Sequence, residues 1–237
     1  MTKDIDFQAS VNNNVEEVVD IIKEICSIRM EAEDGMVFDT TGVRGIKIME
    51  DADYQGVRVQ FKGYLKKAYV GLQIDISFAN VLTPKEISIE YPTLLNMPDF
   101  RLMSYNPETA IAEKLQAMIF LGSFNDRMKD FYDIYLLSQA RNFDGLVLEK
   151  AITTTFNNRR TEIPHETPVP LRDSFSALKK ASWHQFIKRA SIQGDEVIDF
   201  HEIIAPLRTF LLPPLQAAAV GELFLMDWKA GKAWKQK

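Results

Sequence analysis

Acidic residues alternate with apolar ones on two predicted strands. Near the start of the chain, the stretch "TKDIDF" places Asp4 and Asp6 on one strand face, because successive side chains of a strand point to opposite faces. Further along, "GLQIDISF" gives Asp75 a similar setting, since its apolar neighbours share the other face. If the two strands are neighbours in a sheet, three carboxylates converge on one face.

Three converging carboxylates predict a site for a divalent cation. The carboxylates repel one another and tend to hold protons, and a bound cation removes that conflict. Oxygen-only ligands suit Mg²⁺. Two such ions can activate an attacking hydroxyl and stabilise a leaving pyrophosphate. The structural alternative is that these are solvated acids at exposed strand ends.

Charged residues also interrupt the apolar sides of two predicted helices. At about 100° per residue, Lys114 falls among apolar residues of one helix, and Asp130 and Asp133 fall among apolar residues of the next. A buried charge needs a partner, so we expect Lys114 to pair with Asp130, while Arg127 or Lys129 could serve Asp133. This cluster is either a structural ion pair or a site edge. In a site, Lys114 would face phosphates and Asp130 would orient a base or a hydroxyl.

The elements that must position these residues change character along the chain. The first part predicts one helix and several strands, with a hairpin turn at Lys66 and Lys67: the helix is 12–28 and the strands are 44–49, 56–65, 68–78 and 87–91. The second part predicts helices over 106–122, 125–140, 146–160, 182–190 and 199–214. We therefore predict an α/β domain over residues 1–104 and a helical domain over 105–237.

The bulk composition limits the class of protein. The chain has 237 residues, 46% of them hydrophobic and 26% charged, and a formal net charge of −5. This balance is globular, and it excludes a general basic coat for nucleic acid while allowing a local basic patch. A single cysteine, Cys26, excludes an intrachain disulfide, and the three histidines are too scattered for a zinc site.

No targeting or membrane segment is expected. The start of the chain lacks the basic flank and apolar run of a signal peptide, and we expect no stretch to be apolar enough to span a bilayer. The predicted location is the cytoplasm, without a membrane partner.

Two basic stretches are candidates for nucleic-acid contact. The segment "KKASWHQFIKRA" could touch an RNA backbone with Trp183 as a stacking surface, or it could be a solvated helix face with one core aromatic residue. The tail after Asp227 holds four lysines and two tryptophans. It could bind nucleic acid or dock on the helical domain, and we favour docking.

Four motifs in order, "TKDIDF", "QIDISF", "TAIAEKLQAM" and "RMKDFYDIYLL", resemble those of the AbiEii-type nucleotidyltransferases. These include toxins of abortive-infection and MenT-type toxin–antitoxin systems. The resemblance covers residues 1–140 well and the rest weakly. It implies an α+β, polymerase-β-like nucleotidyltransferase fold with a mixed sheet and a helical C-terminal domain. It also implies a nucleoside triphosphate, Mg²⁺ as two ions, a tRNA 3′ end as acceptor and a cognate antitoxin as partner.

The resemblance also implies roles for individual residues. The expected metal ligands are Asp4, Asp6 and Asp75. The expected catalytic residues are those three acids together with Lys114 and Asp130. The charged residues expected at the nucleotide are Lys114, Arg127, Lys129 and Asp133.

One element of the family pattern does not precede the first acids. In the family, a Gly-Ser segment before Asp-x-Asp supplies backbone N–H groups and a hydroxyl to the phosphates. In this sequence Met1 stands directly before "TKDIDF", so we expect the first strand and the Gly-Ser segment to be missing. We therefore expect this polypeptide to transfer nucleotides poorly. The rival interpretations are a catalytically inactive homologue acting as a binding module and a metal-dependent nuclease using the same acids.

Overall fold

The computed structural model describes residues 5–9, 11–29, 34–51, 54–78, 84–91, 93, 99–194 and 197–237. Asp4 lies outside these ranges. The chain divides into two compact units, Met1–Val81 and Leu82–Lys237. The sequence placed the boundary later, after residue 104, because the helical pattern begins there. A β-hairpin that precedes the first helix of the second unit clusters with the helices instead.

The sheet of the first unit is mixed. Its elements are β1 (Ile5–Gln8), α1 (Val15–Ser27), β2 (Met36–Phe38), β3 (Arg44–Asp51), β4 (Tyr54–Leu65) and β5 (Ala68–Ser77). The strand order is β1-β5-β4-β2, and β3 also pairs with β4. Strand β1 runs parallel to β5, whereas the other pairs are antiparallel. Together with the helical second unit, this mixed sheet confirms the expected α+β class.

One face of this sheet forms the core of the first unit. Helix α1 begins where the side chain of Asn14 accepts the N–H groups of Glu16 and Glu17, at 2.8 and 3.2 Å. Its apolar residues pack on β3 and β4, and the buried residues are Val18, Ile22, Val43, Val57, Val59, Phe61, Ile74 and Ile76. Because strand side chains alternate, Arg58 and Asp75 point to the opposite, polar face.

A two-residue turn sets the register between β4 and β5. Lys66 and Lys67 form this turn, as the sequence predicted, and Lys66 has a φ of 54° although it is not a glycine. The antiparallel register that follows from the turn places Arg58 opposite Asp75. The turn therefore decides which side chains meet on the polar face.

The second unit is mainly helical. It contains a hairpin of β6 (Ile87–Tyr91) and β7 (Phe100–Ser104), and the helices α2 (Pro107–Leu121), α3 (Met128–Ala140), α4 (Gly145–Asn158), α5 (Asp173–Leu178), α6 (Lys180–Ala190) and α7 (Phe200–Val220). A small sheet joins β8 (Phe143–Asp144), β9 (Met226–Trp228) and β10 (Trp234–Gln236). The sequence predicted five of these helices and missed α5, β7 and the small sheet.

Aromatic side chains fill the centre of the helical unit. The indole of Trp183 is 1% exposed and stacks on Phe200, with ring centroids 4.8 Å apart. Its Nε1 donates a hydrogen bond of 2.8 Å to the carbonyl of Ile198. Trp183 is therefore a core residue, and it offers no stacking surface to RNA.

The C-terminal tail docks on the helices, as the sequence favoured. Trp228 Nε1 donates to the carbonyl of Ser138 at 2.7 Å, and Trp234 Nε1 donates to the carbonyl of Phe210 at 3.0 Å. Strand β9 pairs with both β10 and β8, so these two tryptophans hold the hairpin of β9 and β10 against α3 and α7.

Helix α7 corrects one expectation from the sequence. By length and hydropathy alone α7 could cross a membrane, whereas we expected from the sequence that no stretch could do so. In this unit 44% of its apolar window is buried, and Ile203, Ile204 and Leu207 belong to the core. A core helix meets the same criteria, so α7 is weak evidence for a membrane.

Candidate functional site

Two of the three predicted metal ligands, Asp6 and Asp75, lie in the part of the chain that the structure describes, and they are neighbours. In the parallel pair of β1 and β5, Asp6 stands in register with Asp75. Adjacent strands lie about 4.8 Å apart and paired residues point to the same face, so the two carboxylates share the polar face. Asp6 is exposed, whereas Asp75 is only 6% exposed. The predicted adjacency of these strands is confirmed.

Asp75 has a cationic partner that the sequence analysis missed. Arg58 on β4 forms a bidentate ion pair with Asp75: Nε donates to Oδ1 at 2.8 Å and Nη2 donates to Oδ2 at 2.7 Å. Such forked pairs are among the strongest charge-assisted hydrogen bonds. The signal was present in the sequence, because a two-residue turn at Lys66 and Lys67 requires position 58 to face position 75.

A second polar pair lies beside the first on the same face. Gln60 Nε2 donates to Gln73 Oε1 at 3.0 Å, and this pair lies two residues nearer the turn on each strand. The polar face of β4 and β5 is therefore built from cross-strand pairs in register, which fixes the position of Arg58 and Asp75.

Asp6 and Asp75 are the right kind of ligand for a divalent cation, but two carboxylates are fewer than the three that were predicted. Asp6 and Asp75 supply carboxylate oxygens, the ligands that Mg²⁺ prefers. Both oxygens of Asp75, however, already accept hydrogen bonds from Arg58. Among the residues that the structure describes, no group of three or more His, Cys, Asp or Glu side chains is placed to hold a metal ion. The third expected ligand, Asp4, lies outside the described ranges.

A separate ion-pair cluster joins α2 and α3 in the helical unit. Lys114 Nζ lies 2.7 Å from Asp130 Oδ1 and 2.8 Å from Asp133 Oδ2. The Lys114 side chain is 23% exposed and that of Asp130 is 6% exposed. The predicted pair of Lys114 and Asp130 is confirmed, and Lys114 also bonds Asp133.

Two more cations flank this cluster from the solvent side. Lys129 Nζ contacts Asp133 Oδ2 at 2.7 Å, one helical turn away, as predicted. Arg127 forms an ion pair with Asp130 instead of Asp133, and its Nε lies 2.8 Å from Oδ2. The two groups are not aligned for a hydrogen bond. Both flanking side chains are 59% exposed. With three cations and two carboxylates, the cluster has a formal excess of one positive charge.

The cluster keeps Lys114 protonated. Burial alone would lower the pKa of this ammonium, but the charge of Asp130 and the hydrogen bonds that Lys114 donates to both carboxylates outweigh burial and raise the pKa above its usual value. Lys114 therefore carries a full positive charge at neutral pH.

Side-chain hydrogen bonds near the N-terminal ends of α2 and α3 hold both helices of the cluster in place. The side chain of Asn106 accepts the N–H of Thr109 at 2.9 Å at the start of α2. Before α3, Asp126 Oδ1 accepts hydrogen bonds from Lys179 Nζ at 3.0 Å and Ser182 Oγ at 2.9 Å. The segment that presents Arg127 is thus tied to the region of α6.

Solved structures offer only remote likenesses. JHP933 from Helicobacter pylori shares 13% identity, with a TM-score of 0.44 over 93% of this chain and 77% of that chain. An H. pylori protein described as a candidate nucleotidyltransferase shares 13% identity, with a TM-score of 0.42 over 93% of this chain and 79% of that chain. A search of curated proteins finds no match.

The sequence match to a family is extensive. A family model described as "Nucleotidyl transferase AbiEii toxin, Type IV TA system" matches residues 1–208, well over half of the chain. Family membership implies a nucleotide substrate and a cognate antitoxin, and enzymes that transfer nucleotides generally use a divalent metal. The chain therefore belongs to the AbiEii family of nucleotidyltransferase toxins.

Proposed function

We propose that this chain transfers a nucleotide from a nucleoside triphosphate to an RNA, the 3′ end of tRNA, as the cytoplasmic toxin of a toxin–antitoxin pair. The observation that carries this proposal is the register of Asp6 with Asp75 on adjacent parallel strands. Family membership supports the reaction class, and the acid pair supports the site.

The acids of the first unit are the proposed metal ligands. Asp6 and Asp75 would hold Mg²⁺ with Asp4 as the third ligand, and two ions together would offset the charge of the triphosphate and activate the attacking hydroxyl. Asp75 is held in place by its strand position and by its two hydrogen bonds from Arg58.

The cations of the helical unit are the proposed phosphate contacts. Arg127 and Lys129 are more than half exposed, so either can meet an anion without leaving a buried position. Lys114 is mostly buried, and its ammonium holds Asp130 and Asp133 together. We propose that Lys114 contacts the triphosphate from this anchored position and that Asp130 orients a hydroxyl or a base.

A basic helix supports an RNA acceptor. Residues 180–190 contain no acid, and Lys180, Lys188 and Arg189 are exposed on α6. Exposed cations of this kind bind phosphate backbones without sequence preference. This stretch stands out in a chain whose formal net charge is −5.

The test is a labelling assay with matched variants. The 237-residue chain is incubated with Mg²⁺, each labelled nucleoside triphosphate in turn and total tRNA. We expect Asp6→Asn and Asp75→Asn each to lower labelling by roughly a hundredfold or more, as loss of one preorganised group does in comparable sites. The control Asp20→Asn removes an exposed acid of α1 and leaves labelling unchanged. Labelling that survives Asp6→Asn would refute the proposed metal site.

The same assay separates the rival functions. A version extended upstream by a Gly-Ser segment is assayed in parallel at high protein concentration. Shortened tRNA instead of labelled tRNA would identify a nuclease. Binding of tRNA without labelling by either version would favour a binding module.

A further inference from the structure

In this structure the cation that pairs with Asp75 is a side chain of the same chain, Arg58. Arg58 donates two hydrogen bonds, one to each carboxylate oxygen, and Asp75 is almost fully buried. The Arg58 side chain is about one-third exposed, so one side of the pair faces solvent. A guanidinium keeps its charge at every ordinary pH, so Arg58 does not release the carboxylate by losing a proton.

A cation bound at Asp75 must share the carboxylate with this guanidinium. Each oxygen has two lone pairs, so a metal and an N–H group can in principle bond the same oxygen. The two positive charges then repel. At about 6 Å and with full screening by water, the repulsion between a divalent cation and a guanidinium is worth about a tenfold change in affinity.

We infer that Arg58 occupies the cation position at Asp75 and competes with a divalent metal for that carboxylate. The inference rests on the proposed metal role of Asp6 and Asp75. It assigns Arg58 as a residue that sets metal affinity, a role that neither the motif pattern nor the family match gives to it. Its position is dictated by the hairpin register, which sets Arg58 opposite Asp75 and Gln60 opposite Gln73.

The experiment measures metal binding without substrate. The full chain is treated with a chelator, dialysed and titrated with Mn²⁺, and free Mn²⁺ is followed by electron paramagnetic resonance. In Arg58→Gln the charge is gone, while the amide can still donate one hydrogen bond to Asp75. We expect Mn²⁺ to bind this variant at least about tenfold more tightly than the wild type.

Two control variants test whether charge is the cause. Arg58→Lys keeps the charge, so its Mn²⁺ affinity should stay near that of the wild type. Lys62→Gln removes a cation from the same face of β4, four residues or about 13 Å away, and should change little because this distance exceeds the screening length of about 10 Å at 0.1 M salt. A gain in Arg58→Lys equal to that in Arg58→Gln would overturn the inference.

A double variant tests the route through Asp75. The gain from Arg58→Gln should vanish in the Asp75→Asn background, and a gain that persists there would refute competition at this carboxylate. Equal Mn²⁺ binding by the wild type and Arg58→Gln would overturn this inference alone. Absence of Mn²⁺ binding in all folded variants would overturn the proposed metal site as well.

Discussion

Replacing Lys114 with methionine tests what the buried ion cluster does. The substitution keeps an unbranched apolar side chain on α2 and removes the ammonium that bonds Asp130 and Asp133 at 2.7 and 2.8 Å. Asp130 is then left in the core with only the loosely aligned contact from Arg127.

The magnitude follows from the remaining partners. Stranding one member of a buried ion pair costs roughly 3 to 5 kcal/mol. Here Asp133 keeps Lys129 and Asp130 keeps Arg127, but both of these cations are mostly exposed, and such contacts are worth about 1 kcal/mol or less. We therefore expect Lys114→Met to lower the free energy of unfolding of the helical unit by about 2 to 3 kcal/mol.

The assay can report on this unit alone. All three tryptophans of the chain, Trp183, Trp228 and Trp234, lie in the helical unit. Urea unfolding followed by tryptophan fluorescence thus measures the unit that contains the cluster. The control is Lys129→Met, which removes an exposed cation from the same cluster and should cost only about 0.3 to 0.5 kcal/mol.

A small effect would refute this reasoning. If Lys114→Met costs less than about 1 kcal/mol, or no more than Lys129→Met, the cluster does not stabilise the packing of α2 on α3. A stable Lys114→Met variant that has lost nucleotide transfer would instead show that Lys114 acts mainly on phosphate.

Three further outcomes are expected. Because folding raises the pKa of Lys114, the stability that its charge contributes is complete below the unfolded pKa of 10.5 and is lost as the pH rises through the higher pKa of the folded state. The difference in unfolding free energy between the wild type and Lys114→Met should therefore stay constant up to about pH 10 and become smaller above it. Asn106→Ala removes the acceptor of the Thr109 N–H and should cost about 1 kcal/mol in urea unfolding, with Asn106→Ser nearly neutral. Gly145→Ala would place a Cβ 2.6 Å from the carbonyl oxygen of Met226, so it should loosen the C-terminal hairpin at a cost of about 1 to 3 kcal/mol, seen as faster proteolysis of the tail.

Periodic patterns made much of the fold and the candidate site predictable. Alternation placed Asp6 and Asp75 on polar strand faces, and the helical angle placed Lys114 against Asp130. Both inferences needed only the geometry of a single element and the rule that buried charges are paired. The parallel register of β1 and β5 and the contact at 2.7 Å bear them out.

What the sequence did not reveal depends on contacts between elements. The pairing of Arg58 with Asp75 follows from the hairpin register. The ion pair of Arg127 with Asp130, instead of with Asp133, follows from the side-chain directions at the start of α3. The strands β8, β9 and β10 have two or three residues each, too few to show a period of two. Hydropathy likewise could not place α7, because a buried helix and a spanning helix share the same composition.

The docked hairpin also has a consequence for how the toxin matures on the ribosome. Trp228 reaches back 90 positions to Ser138, and Trp234 reaches back 24 positions to Phe210. Chains are made from the N-terminus at about 5 to 20 residues per second, so every helix of this unit emerges before the strands that lock it. We expect the nascent helical unit to stay open until β9 and β10 have been synthesised, and a chain cut short before Met226 to lack the strands that close this unit.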